Sequence, residues 1–380
     1  MAVGLPLKTT YANGDVYSAS DVNDTNGTVN AYVPKSTYAS KNRIINGDFC
    51  VDQRAAGTAK TIVSSGSSYP AVDRWQMAVS TSVVATTQQI TTDYPAGHRY
   101  SNKITFTTGQ AIVAGSNSLM WQWIEGLNTY DLNWGTANAQ DVTLSFWVKS
   151  SVTGNHPVQI YTGYSYVTTY NISAANTWEK KSITIPGLTS GTASPADNTA
   201  SISVGFVWGA GSSVQTTANT WTSGYYTTVS GAVAPQATTG ATWLVTGVQL
   251  EAGSTATTFS RAGGTIQGEL AACQRYYWRA TLANDCMSGF QGAAYSTTAV
   301  YAIMNSKVTM RTTPTSVDYS NIRITDAVTN YTITSLALWS IGTENAIGLL
   351  ATGATGLTQY RPYAVNATVS GGYVGISAEL

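Results

Sequence analysis

Short runs of alternating apolar and polar residues, each closed by turn residues, constrain the fold of this chain more than any other feature. In VTLSFWVKS the apolar residues occupy alternate positions: Val142, Leu144, Phe146 and Val148. Successive side chains of a strand point to opposite faces, so these four would share one face. Similar runs recur from Arg43 onward between Gly, Ser, Asn and Pro residues, which is typical of sandwiches and barrels. The pattern predicts an all-β protein.

One segment departs from this pattern. Residues 264–280, GTIQGELAACQRYYWRA, have no turn residue after Gly268 and are rich in helix formers, so we predict a helix. Its apolar residues form a narrow stripe: Ile266, Leu270, Cys273 and Tyr277. A stripe of this width suits a partner helix. The alternative is a helix packed across its own sandwich, because two heptads do not establish a coiled coil.

The length of 380 residues exceeds the size at which one core usually stops growing, so we expect several folded parts. The predicted parts are an attachment segment at 1–41, a β-sandwich at 42–262, a connecting helix at 263–280 and a smaller β domain at 281–380. The first part is rich in Asn, Asp, Ser and Thr and lacks sustained apolar alternation.

Composition argues against several classes of partner. The net charge is zero and only 10% of residues are charged, and no run of Lys and Arg suggests nucleic-acid binding. Neither a membrane-spanning run nor a secretory leader is visible, so we expect synthesis in a cytoplasm without membrane insertion. Three widely spaced cysteines do not indicate a disulfide framework or a metal motif.

The sequence offers little for catalysis. His98 and His156 are the only histidines, and neither belongs to a hydrolase or zinc motif. Both lie in turn contexts, where we expect solvated imidazoles. We therefore predict a protein that is not an enzyme. A pair of carboxylates could still hydrolyse a glycan, which leaves a glycan-degrading enzyme as a lesser alternative.

Aromatic residues are the candidates for binding. Sugar rings stack on exposed aromatic faces while neighbouring polar groups bind the hydroxyls. The candidate residues on predicted strands are Trp121, Trp123, Tyr164, Tyr166 and Tyr170, and those in the Gly, Ser and Thr insertion after Val207 are Trp221, Tyr225 and Tyr226. The alternative is that such rings pack across strands or between subunits.

Several motifs resemble those of phage tail-fibre and virion-surface proteins, in the same order along the chain. They are RIINGDFCVDQR at 43–54, VDRW at 72–75, WQWIEG at 121–126, VTLSFWVKS at 142–150, TWEKKSITI at 177–185, VTGVQLEAGSTATTFSR at 245–261, ELAACQRYY at 269–277, KVTMRTTPT at 307–315 and ISAEL at 376–380. The resemblance covers residues 43–380. The opening residues are similar to segments by which phage fibres join a particle.

This resemblance implies a jelly-roll sandwich related to carbohydrate-binding modules, a connecting helix and a C-terminal β domain, commonly assembled as a homotrimer. It also makes Asp48 and Glu251 candidates for a shared structural calcium ion, because carboxylates supply the oxygen ligands that calcium requires. Ordinary surface carboxylates are the alternative, and no other cofactor is expected. Within the motifs, we expect Asn46 to form a turn that sends Phe49 into the core, and Asp73 and Arg74 to form an ion pair.

The leading expectation is a virion-surface fibre, a tail fibre in the first place, that adheres to the host. The glycan would be a host cell-surface polysaccharide, and residues 1–41 would attach the trimer to other phage structural proteins. The main alternative is a purely structural capsid fibre, decoration or baseplate protein that binds no glycan.

Overall fold

Two six-stranded antiparallel sheets lie face to face in the computed structural model, which describes residues 41–64, 66–192, 194–284, 289–339 and 342–380. In spatial order, sheet A contains β1 (Lys60–Ile62), β3 (Val84–Ile90), β4 (Ser101–Thr108), β14 (Thr242–Ala252), β6 (Val142–Ser150) and β9 (Glu179–Ile185). Sheet B contains β12 (Trp221–Ser223), β8 (Tyr164–Ile172), β7 (Gly154–Tyr161), β10 (Ala200–Ala210), β5 (Asn117–Glu125) and β2 (Gln76–Ala78). Together they form the predicted jelly-roll sandwich.

The core of the sandwich lies between the two sheets. Strand β6 confirms the predicted alternation, since Phe146 and Val148 are buried while Trp147 is partly exposed. Aromatic rings fill much of the interior: Phe49, Trp75, Phe106, Phe206, Trp208 and Trp243 are all fully buried. Asn46 adopts a positive φ of 58°, and Phe49 enters the core as expected. Burial of these rings supplies the main stabilising free energy of the unit.

The insertion after Val207 carries short elements. Strands β11 (Gln215–Thr216) and β13 (Thr228–Val229) form a parallel pair. The described residues of the sandwich include four short 3₁₀ helices, at Gly126–Asn128, Tyr130–Leu132, Ser212–Val214 and Pro235–Ala237.

The predicted helix is shorter than expected. Helix α1 spans Ile266–Gln274, and the side chain of Thr265 caps its start by accepting a hydrogen bond from the Gly268 amide. Tyr277 does not belong to the helix, because it begins strand β15 (Tyr277–Leu282). The prediction of a helix through residue 280 is therefore wrong. Pairing of β15 with β24 (Gly372–Ser377) overrides the local helix propensity.

The second unit contains two further sheets. The smaller one has the order β15, β24 and β18 (Ser316–Ser320). The larger one has the order β20 (Asn330–Thr332), β19 (Ile322–Thr325), β23 (Pro362–Ala367), β16 (Phe290–Ala294), β17 (Ala299–Asn305), β22 (Ala346–Thr352) and β21 (Ser335–Leu338). A separate apolar core lies between them, so this unit has an interior of its own.

Arginine side chains join the two units. Arg54 and Arg74 of the sandwich both pair with Glu379 of the second unit. In the opposite direction, Arg311 of the second unit donates to the carbonyl oxygen of Asn198 in the sandwich at 3.0 Å. In the part of the chain that the structure describes, no helix is long and apolar enough to span a bilayer. The predicted attachment segment lies outside the described residues except for Lys41.

Candidate functional site

The outer side of sheet B carries a row of aromatic rings. In the ladder of β5, β10 and β7, Ser203 lies opposite Trp123 on one side and opposite Tyr161 on the other. The next outward positions are Trp121 on β5 and Gly205 on β10. Because β10 presents only Ser203 and Gly205 here, the larger rings of the neighbouring strands meet above it.

The rings contact one another in edge-to-face geometry. The ring centres of Trp123 and Tyr161 are 5.9 Å apart with an angle of 68° between their planes. Tyr161 in turn meets Tyr225 at 5.2 Å and 86°. Such pairs are mutually stabilising and hold the rings in fixed orientations. We call Trp121, Trp123, Tyr161 and Tyr225 the aromatic face. All four side chains are partly or largely exposed and uncharged.

Buried polar groups hold the loop that carries Tyr225. The Gln159 amide donates to the carbonyl oxygen of Tyr226 at 2.5 Å. The Ser165 hydroxyl donates to the carbonyl oxygen of Gly224 at 2.8 Å and accepts a hydrogen bond from the Tyr226 amide at 2.8 Å. Tyr225 is thus fixed from both sides along the backbone, although 42% of its surface is exposed.

Strand β5 is also anchored at its far end. Arg74 donates from its guanidinium to the carbonyl oxygen of Trp123 at 2.7 Å. The carboxylate of Glu125 accepts two hydrogen bonds from Arg275, at 3.1 and 3.0 Å. Because Trp121 and Trp123 lie on this strand, their backbone is held by residues at the junction with the second unit.

Three of the predicted binding residues lie together in the aromatic face: Trp121, Trp123 and Tyr225. Tyr161 was missed by the sequence analysis. It stands at the end of a run in which His156, Val158 and Ile160 are the buried alternates, so the alternation marked it as outward-facing. What the sequence could not supply is the register that places it beside Trp123.

The prediction of exposed binding residues is wrong for Tyr166 and Tyr170, which are only 6% and 4% exposed. They do share a face of β8, but that face points into the core. The Tyr170 hydroxyl accepts a hydrogen bond from the Trp243 indole at 3.0 Å, and its ring packs edge-on against Phe146 at 5.0 Å. Burial raises the pKa of the Tyr170 phenol.

Two other candidates are occupied by contacts within the chain. Trp221 donates from its indole to the carbonyl oxygen of Pro186 at 2.8 Å, and its ring lies 5.3 Å from that of Trp134. The Tyr164 ring packs close to Gly191, where an added Cβ would come within 2.8 Å of it. For these rings the alternative of internal packing applies. Tyr226 instead lines a cavity of about 590 Å³ together with Thr216 and Thr222.

The two calcium candidates have separate protein partners. Asp48 forms an ion pair with Arg261 at 2.6 Å. Glu251 accepts hydrogen bonds from the Gln249 amide at 2.7 Å and from the Thr257 backbone amide at 2.8 Å. Among the described residues, no group of three or more His, Cys, Asp or Glu side chains could hold a metal ion. Asp48 and Glu251 are both only 4% exposed, so the alternative of ordinary surface carboxylates is wrong, and their observed partners are groups of the chain itself.

The histidines differ from each other. His156 is buried in β7, with its Nε2 2.9 Å from the carbonyl oxygen of Val152, so the expected solvated imidazole is wrong there. His98 packs against Phe259 with ring centres 5.4 Å apart. Burial lowers the pKa of both imidazoles.

No family model and no curated protein matches the chain. Among the solved structures that are similar to part of it are the following three. One is an enzymatically active domain of tailspike protein 4 of bacteriophage CBA120, at 12% identity and a TM-score of 0.28; the match covers 56% of this chain and 21% of that one. The second is the carbohydrate-binding module TmCBM61 in complex with β-1,4-galactotriose, at 8% identity and a TM-score of 0.29, over 56% of this chain and all of that one (100%). The third, a putative sugar-binding protein from Bacteroides thetaiotaomicron, has 12% identity and a TM-score of 0.31, with coverage of 56% and 100%.

Proposed function

We propose that this protein binds a neutral glycan on the host cell surface through its aromatic face, as a fibre on the surface of a phage particle. The observation that carries the glycan proposal is the row Trp123, Tyr161 and Tyr225, whose rings contact one another on an outward sheet surface. Sugar rings stack on such surfaces through their C–H groups. Because the four members are uncharged, they favour a neutral sugar.

The place of the protein on a particle rests on the sequence motifs that resemble phage fibre proteins. In this proposal residues 1–41 attach it to other phage structural proteins and the β units face outward. The proposed activity is binding without catalysis. A test for catalysis is the release of reducing ends from host polysaccharide, which the proposal predicts to be zero.

The proposal includes a homotrimer. Ile266 and Leu270 are 44% and 37% exposed on α1 and border a shallow apolar groove that also contains Cys50 and Val51. Only this half of the predicted stripe is exposed, because Cys273 and Tyr277 are buried against other parts of the chain. Exposed apolar side chains favour association. Three copies would multiply a weak single-site affinity, because multivalency adds factors of about a hundred or more without new contacts.

The experiment is a binding series on immobilised host surface polysaccharide, with the wild type and the variants Trp121→Ala, Trp123→Ala and Tyr161→Ala. Each variant is expected to weaken binding about tenfold, which corresponds to about 1.4 kcal/mol. Tyr130→Ala is the matched control, because Tyr130 is 53% exposed in the same unit and outside the aromatic face. Wild-type affinity in all three variants would overturn the proposal.

The second candidate is a structural particle component. It is favoured by the burial of Tyr166 and Tyr170 and by the internal contacts of the partly exposed Tyr164 and Trp221, which together engage half of the predicted glycan-binding residues within the chain. A wild-type trimer that binds none of the host polysaccharides would support this second function.

A further inference from the structure

The outer side of sheet A, on the opposite surface of the sandwich, carries charged and aromatic side chains that the proposed function does not use. Leu244 of β14 lies opposite Lys103 of β4 on one side and opposite Lys149 of β6 on the other. The neighbours Ile104 and Val148 are buried in the core, so both lysines point outward. Leu244 is buried between them, which is consistent with lysine stems covering apolar surface.

Two indoles extend this surface. Trp147 shares the outward side of β6 with Lys149 and lies opposite Lys180 of β9. Trp178 immediately precedes β9 and donates to Asp93 at 2.9 Å, while Lys149 donates to the other oxygen of the same carboxylate at 2.7 Å. We call Lys103, Lys149, Lys180, Trp147, Trp178 and Asp93 the lysine face.

The lysine face has an excess of positive charge although the whole chain has none. It brings together three ammonium groups and one carboxylate. Burial alone would raise the pKa of Asp93, but hydrogen bonds from Lys149 and Trp178 hold it below its usual value. That carboxylate is therefore ionised and already engaged. Within the described residues, neither Lys103 nor Lys180 forms an ion pair or a side-chain hydrogen bond.

We propose that the lysine face is a second polysaccharide site, specific for an acidic polymer whose sugars carry carboxylates. Trp147 and Trp178 offer rings on which pyranose units stack. Lys180 lies directly opposite Trp147, and Lys103 lies on the far side of β14, two strands from Trp147; both supply ammonium groups that have no ion-pair partner among the described residues. Lys103 on β4 and Lys180 on β9 stand three strands apart, about 14 Å, so they can bind separate carboxylates along an extended chain.

A nucleic acid fits this surface less well. Specific affinity for duplex DNA rests on many phosphate contacts, of the order of six to ten. Here only three lysines converge, and an ionised aspartate lies among them. A polymer of uronic acids carries one carboxylate on each sugar and offers a stacking surface on each ring, which matches a surface with few cations and two indoles.

The test compares polygalacturonate with its methyl-esterified form, which keeps the sugar ring and removes the charge. Wild-type protein is expected to bind the acidic polymer more tightly, and added salt is expected to weaken only that binding. Lys103→Gln/Lys180→Gln should lose about tenfold or more in affinity for polygalacturonate. Trp147→Ala should weaken it as well.

The controls separate this site from the aromatic face. Lys60→Gln removes an exposed lysine from β1 of the same sheet and should leave binding unchanged, as should Trp121→Ala/Trp123→Ala. Equal affinity for the charged and esterified polymers, or wild-type affinity in Lys103→Gln/Lys180→Gln, would overturn the proposal. Tighter binding to DNA than to polygalacturonate at the same salt would also overturn it.

Discussion

The guanidinium carbon of Arg74 lies 3.4 Å from the centre of the Tyr276 ring. The same guanidinium pairs with Glu379 and donates to the carbonyl oxygen of Trp123. A single buried side chain of the sandwich thus contacts the segment after α1, the end of the second unit and the strand of the aromatic face. The junction between the units and the candidate binding surface are therefore one connected structure.

Glu379→Gln is predicted to destabilise the protein. The carboxylate of Glu379 accepts from Arg54 at 3.1 Å and pairs with Arg74; Arg74 is buried, and the side chains of Arg54 and Glu379 are only 10% and 6% exposed. Removing one partner of a buried ion pair leaves an uncompensated charge, which costs about 3 kcal/mol or more. Chemical denaturation measures the change. Asp318→Asn is the control, because its pair with Arg279 is half exposed and should cost less than about 1 kcal/mol. Equal losses in the two variants would contradict this account of the junction.

Stability is predicted to fall with rising pH because of Asp73. Burial raises the pKa of Asp73 from 3.8 to about 7, even though Arg54 lies 3.3 Å away. The folded state therefore binds the proton more tightly than the unfolded chain does. The stabilisation of the folded state by protonated Asp73 is fully present below about pH 4 and is lost as the pH approaches about 7.

Thermal unfolding between these pH values, for the wild type and Asp73→Asn, tests this prediction. The wild type should lose stability relative to the variant by up to about 1.4 kcal/mol per pH unit, because only the wild type titrates at this position. If stability changed with pH equally in the two proteins, Asp73 would be ionised throughout this pH range and the prediction would be wrong.

Tyr170→Phe is predicted to affect stability and leave glycan binding unchanged. The substitution leaves the indole N–H of Trp243 buried without its acceptor, which costs about 1 to 3 kcal/mol. Tyr161→Phe removes a hydroxyl from the partly exposed aromatic face and should cost little stability. If the Tyr170→Phe variant were fully folded but bound glycan more weakly, the aromatic face would not be the binding surface.

Leu270→Glu is predicted to convert the trimer to monomers. The substitution places a charge on the exposed stripe of α1, where an apolar contact between copies is proposed. Light scattering measures the mass in solution. Val113→Glu, at a residue 66% exposed in a different part of the sandwich, is the control. A monomeric wild type, or a trimer that survives Leu270→Glu, would contradict this interface.

The sequence predicted the parts of the fold that depend on neighbouring residues. Alternation in β6 and the turn at Asn46 are local, and both are confirmed. The end of the helix was missed because Tyr277 pairs with Ser377, a hundred residues further along. Asp73 and Arg74 were expected to pair with each other, but their partners are Arg54 and Glu379. Such partners are set by the tertiary structure.

The candidate sites were also only partly predictable, because they depend on the tertiary structure. Alternation correctly placed Tyr166 and Tyr170 on one face of β8, but the opposite face carries Ser165 and Val167, which are also buried. Nothing in the local pattern distinguishes the core from the outside there. The lysine face was not predicted either, because Lys103, Lys149 and Lys180 are far apart in the sequence and come together only through the strand register.

The most direct test of the central claim is adsorption of fluorescently labelled full-length protein to host cells, for the wild type and Trp121→Ala/Trp123→Ala, with both shown to be folded. The account predicts saturable wild-type binding that host surface polysaccharide competes away, and a loss of about a hundredfold in the double variant if the two rings act independently. Adsorption that is equal for the two proteins would contradict glycan recognition by the aromatic face.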